Sequence, residues 1–130
     1  MTTKELLNLD YRDKQNKQII QKALVHIKPL SKFSDEEHVP FEAIEKLLHL
    51  IGSKYKVWVK DITLDSKSCD DYDVSRAHII NEDNLETMEV IYGMCMYELF
   101  AKAAIFLWSE VKKEHLKRRK KNKYENQNIY

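Results

Sequence analysis

Val90-Ile-Tyr-Gly-Met-Cys-Met-Tyr-Glu-Leu-Phe-Ala-Lys-Ala-Ala-Ile-Phe-Leu-Trp108 is the stretch on which the fold turns. Its 19 residues carry two charges, Glu98 and Lys102. A helix that is apolar on nearly every side is buried all round, shared between subunits, or immersed in a membrane. A basic run follows directly, as the positive-inside rule asks of a membrane span. Both charges, however, fall near the middle, where each costs about 2.5–3.5 kcal/mol in a bilayer. Their order, Glu and then Lys four residues on, is the favourable one for an ordinary helix ion pair. The stretch therefore predicts a core helix running from Leu85 to about Lys120, and no membrane contact.

Working outward from it, the rest of the chain also favours helices. Only Gly52, Gly93, Pro29 and Pro40 interrupt 130 residues, whereas sheet-rich folds need frequent turn residues. A first helix is expected over about Asp10–His26, stopped by Pro29. Ser31–His38 reads as a polar connection. Pro40 and Gly52 then bracket a second helix whose Ile44, Leu47, Leu48 and Ile51 make a core face. Residues 55–64 fit two periods. Tyr55, Val57 and Val59 alternate like a strand, while Ile51, Tyr55, Trp58 and Ile62 keep helical steps. Asp65–Asp73 reads as an acidic loop, and Asn81-Glu-Asp-Asn84 as a helix start.

The expected fold is a mainly α, small helical bundle with one long apolar C-terminal helix. The alternative is α+β, with a short hairpin joining 55–63 to 74–80. Residues 1–111 form a single helical domain in this reading, and 112–130 a basic helix end and tail. The apolar share of 43% against 33% charged residues is a globular balance. Cys69 and Cys95 cannot define a disulfide framework, and the N-terminal residues lack the apolar run of a secretory signal, so a cytoplasmic, reducing setting is expected.

The net charge of +1 conceals a division. Residues 112–130 hold eight Lys or Arg against Glu114 and Glu125, a balance of +6. The preceding 111 residues hold the remaining 14 basic and 19 acidic groups, or −5. The basic positions are Lys112, Lys113, Lys117, Arg118, Arg119, Lys120, Lys121 and Lys123. They suit a solvated helix end, and equally an arm for nonspecific contact with nucleic-acid phosphates.

No chemistry-bearing motif emerges. His26, His38, His49, His78 and His115 show no metal-binding helical spacing, and the pair Glu45 and His49 reads as a surface pair. Asp71–Glu82 places acids at calcium-loop positions, but Arg76 stands where that loop needs Gly. Two isolated glycines make no phosphate loop, and neither cysteine has a His partner by spacing. The expectation is a non-enzymatic interaction or accessory protein with no cofactor and no metal. One or two helices cover only about two-thirds of a long apolar helix. Self-association through Tyr92, Tyr97, Phe100, Phe106 and Trp108 would cover the rest, with an unidentified protein partner also expected. Titration calorimetry with calcium, magnesium and zinc is expected to show no stoichiometric site. A calcium isotherm abolished by Asp71→Ala would overturn this.

Overall fold

The computed structural model describes the backbone of residues 1–53, 59–69, 72–81 and 85–128, and the side chains of 1–51, 76–80, 85–113 and 116. The chain is a mixed fold in which α-helices pack on an antiparallel sheet. Helix α1 spans Thr3–Leu7 and α2 spans Lys14–Val25. A 3-10 helix follows over Lys28–Phe33, and α3 spans Phe41–Ser53. Strands β1 (Val59–Cys69), β2 (Tyr72–Asn81) and β3 (Thr87–Gly93) lead into α4 (Met96–Asn128).

The helix starts are set by short-range chemistry. Asp13 caps α2, its carboxylate accepting from the N–H groups of Gln15 and Asn16 at 2.8 and 3.3 Å. That cap starts the expected first helix at Lys14 instead of Asp10, and the short α1 before it is an addition to the expected fold. Pro29 opens the 3-10 helix, whose second half runs into the expected polar connection Ser31–His38. At α3, the Pro40 carbonyl accepts from Ala43 and Ile44. Its buried face is Ile44, Leu47 and Ile51, and that of α2 is Ile20 and Leu24. Both stripes follow helical spacing.

The sheet order is β1-β2-β3. The hairpin alternative of the sequence is present and longer than expected, pairing Asp61 with Ile80 and continuing to Cys69 opposite Tyr72. The expected acidic loop Asp65–Asp73 is therefore mostly strand. Residues 54–58, 70–71 and 82–84 lie outside the described residues, so the helical alternative for Tyr55–Trp58 and the helix start at 82–84 lie outside them too.

The expected helix over Leu85–Cys95 is corrected. Thr87–Gly93 is a strand that pairs with β2, Ile91 opposite Ala77 and Val90 opposite His78. Burial near its end has period two, with Ile91 and Gly93 buried and Tyr92 exposed between them. Gly93 is required by close approach, since a Cβ there would stand 3.0 Å from the Glu98 carboxyl carbon and 3.1 Å from Leu99 Cδ2.

Helix α4 is the centre of the molecule. Leu99, Ala101, Ala103, Ala104, Ile105, Leu107 and Val111 are buried. Helices α1, α2 and α3 and strands β2 and β3 all pack on it. Ala77, Ile79 and Ile91 of the sheet join the same core. The sheet thus supplies the cover that the helices alone could not. No helix among the described residues is long and apolar enough to cross a membrane.

Glu98 and Lys102 form the expected i, i+4 pair at 2.8 Å, but inside the protein, with side chains 5% and 3% exposed. Lys102→Met strands a buried carboxylate and is expected to cost about 3–5 kcal/mol in chemical denaturation. Pairing it with Glu98→Gln should cost less than the sum of the two single changes. Additive effects, or a loss under about 1 kcal/mol for Lys102→Met, would show that the pair is not closed in solution.

Candidate interaction surface

The corner between β3 and α4 is built by Glu98. Its Oε1 accepts from the Met94 N–H at 3.0 Å and its Oε2 accepts from Lys102 Nζ. Lys102 Nζ also donates to the Leu9 carbonyl at 2.9 Å, which ties the α1–α2 turn to the same point. Cys95 caps the helix through its carbonyl, which accepts from the Leu99 N–H. With the corner held, Tyr92, Met94 and Met96 project outward, 55%, 43% and 47% exposed. Cys95 between them is a free, exposed thiol.

Two hollows flank this corner and share Tyr11. One, of about 280 Å³, lies between the α1–α2 turn and β3, and its floor is Glu98 and Lys102. Asp10 stands on its rim, gripped by Arg12 through Nε at 3.1 Å and a second guanidinium nitrogen at 2.9 Å. Those bonds hold the Asp10 carboxyl down at about 2, below its ordinary 3.8. The other hollow, of about 670 Å³, runs between α2 and the segment before α3, and Glu37, His38, Cys95 and Tyr97 border it.

Tyr97 closes the floor of the second hollow. Its hydroxyl donates to the Val39 carbonyl at 2.6 Å and accepts from Gln21 Nε2 at 2.9 Å. Gln21 Oε1 in turn accepts from the Val39 N–H at 2.8 Å. His38 stacks on the Tyr97 ring at 4.2 Å. Burial pushes the Tyr97 phenol up to about 12. This network pins residues 38–39 to the first turn of α4 and so positions an acidic group beside the corner. Asp35, Glu36, Glu37, Glu42 and Glu45 are all exposed, and no Lys or Arg falls between Phe33 and Glu45. Lys14 and Lys17 of α2 border the opposite wall.

The aromatic residues expected at an interface separate into two sets. Tyr92 is exposed. Tyr97 is engaged in the network just described, and Phe100 stacks on Phe41 at 5.1 Å. Phe106 and Trp108 are half-buried against the core. Met94, Met96 and the acids at 35–37 are not singled out by the sequence, the methionines reading as interior helix and the acids as part of a polar connection.

The basic run continues α4 without a break to Asn128, past Val111, the last buried residue among the described ones. Lys112, Lys113 and Leu116 are exposed, and Lys113 pairs with Glu110 at 3.2 Å. The side chains of Lys117, Arg118, Arg119, Lys120, Lys121 and Lys123 lie outside the described residues. No group of three His, Cys, Asp or Glu among the described residues could hold a metal. The segment Asp71–Glu82, with acids at calcium-loop positions, is largely strand β2.

Compared with known protein families, curated proteins and solved structures, the chain matches none.

The Asp10 geometry gives a pH signature. A carboxyl depressed in the folded state stabilises above its unfolded value near 3.8, and that contribution is lost as pH falls toward 2. NMR titration should place the Asp10 midpoint near 2 and raise it in Arg12→Ala, with the backbone N–H of residue 12, 3.0 Å from Oδ1, keeping part of the lowering. An unshifted midpoint in the parent protein would show the grip absent in solution.

Proposed function

We propose that the protein is a non-enzymatic interaction protein that docks a basic, amphipathic polypeptide segment on the surface at the N-terminal end of α4. The observation that carries this reading is the grouping of Tyr92, Met94 and Met96, large apolar side chains exposed within five residues, about Cys95, which borders the same hollow as the exposed Glu37. Aromatic and Met side chains are the types enriched at interface centres, and thioethers adapt to varied partners. Acids on the α3 side favour a cationic ligand there. A free exposed thiol at Cys95 fits the cytoplasm, where thiols stay reduced.

A second reading rests on the helical continuation of the basic run to Asn128. In it, the arm contacts nucleic-acid phosphates without sequence preference. About four or five contacts would give a log–log salt slope near −4 on duplex DNA. The acidic body would repel the same ligand.

Calorimetry with a Leu/Lys amphipathic helical peptide, against its Leu/Glu counterpart, tests the first reading. The basic peptide is expected to bind, and the acidic one not. Tyr92→Ser combined with Met94→Ser should weaken binding about thirtyfold, as loss of about 2 kcal/mol implies. Equal binding of both peptides, or indifference to the double change, would sink the proposal.

A further inference from the structure

The acidic surface and the basic arm sit at opposite ends of one helix. The His38–Tyr97 and Phe41–Phe100 stacks fix the acidic segment to the first turns of α4. The arm begins at Lys112, beyond the last buried residue among the described ones. At 1.5 Å per residue, the 33-residue α4 is about 50 Å long. Tyr97 and Lys117 are then about 30 Å apart along the axis, and Tyr97 and Lys123 about 39 Å. The screening length at physiological salt is about 8 Å. A straight α4 therefore keeps its own arm from neutralising its own acids.

From this we infer that the occupant of the docking surface is the arm of a second copy, in a reciprocal antiparallel dimer. The inference rests on the docking reading above and names its partner. Two copies with antiparallel α4 helices bring each arm onto the other's acidic head, which closes the pair through one self-complementary contact made twice. Residues 112–123 carry eight positive charges and one negative, and extend about 17 Å, while residues 34–45 carry five negative and no Lys or Arg. The two segments are thus complementary in sign. Leu116, 57% exposed on the arm, supplies an apolar group for the partner's Met94 and Met96. Lys14 and Lys17 on the α2 wall carry the same sign as the arm, which favours the α3 side of the corner for it. A parallel pairing would set arm against arm and is disfavoured by like charge. A polyanion would satisfy the arm too, but it would face the acidic body, which the arm of a second copy finds attractive.

Sedimentation of the full-length protein at micromolar concentrations tests the inference. The expected result is a dimer at about 50 mM salt that dissociates at about 500 mM. Two charge-reversed proteins sharpen it, one with Asp35→Lys, Glu36→Lys and Glu37→Lys, the other with Lys117→Glu, Arg118→Glu, Arg119→Glu, Lys120→Glu and Lys121→Glu. All the head changes are at exposed positions, and circular dichroism melting verifies folding of both proteins. Each alone should dimerise at least about tenfold more weakly. Mixed one to one, they should form a heterodimer, because the positive head then meets a negative arm and the negative head a positive arm. That rescue has no counterpart in apolar docking or in phosphate binding.

A monomer at every concentration in low salt overturns the inference. So does a dimer that survives high salt and both reversals but is lost in Tyr92→Ser with Met94→Ser. In that case the docking reading stands while its assigned occupant falls. A wild-type monomer that binds duplex DNA with the salt slope given above overturns it in favour of the phosphate reading.

Discussion

The ion pair between Glu98 and Lys102 joins three parts of the chain at one buried point. One carboxylate oxygen holds the Met94 N–H, the other holds Lys102, and the ammonium reaches the Leu9 carbonyl. Two desolvated charges carry a penalty of several kcal/mol each, and only close pairing with further hydrogen bonds offsets it. The bonds that do so are also the ones that set the β3–α4 corner and the α1–α2 turn. A buried pair of this kind is a weak source of net stability but a strong constraint on arrangement, because any displacement leaves a charge unpaired.

Everything at the candidate surface follows from that corner. Gly93 lets β3 approach the Glu98 side chain, and the turn at Met94 and Cys95 then throws Tyr92, Met94 and Met96 outward. On the other flank, the Tyr97 hydroxyl, Gln21 and Val39 form a closed set of hydrogen bonds that brings residues 38–39 against the same helix start. The acids at 35–37 are placed beside the apolar corner by these bonds.

Helix α4 serves two purposes with one continuous backbone. Its first half is an apolar cylinder enclosed by helices and sheet together, and its backbone continues as helix through the basic run to Asn128. The abrupt change at Val111 is what separates a mildly acidic body from a basic extension. A chain whose net charge is +1 thereby becomes strongly polar along its length, which is the physical basis for expecting association governed by ionic strength.

Features that depend only on neighbouring residues are legible in the chain before it folds. The buried faces of α2 and α3 follow from helical spacing, α3 begins just after Pro40 as that proline indicated, and the Glu98–Lys102 pair follows from its i, i+4 order. The division of charge at residue 112 needed no structure at all. Other features waited for the tertiary fold. Residues 85–95 are apolar enough to serve a helix or a strand, and pairing with β2 decided for a strand over Thr87–Gly93. That strand, with β2, covered the side of α4 that the helices left open. It also left Tyr92 outside and, with the corner at Glu98, drew Tyr97 and Phe100 inward. The reason lies in where the bonds go. A helix closes its hydrogen bonds four residues away, so its signature is local, whereas a strand completes its bonds on a distant segment whose presence local spacing does not reveal.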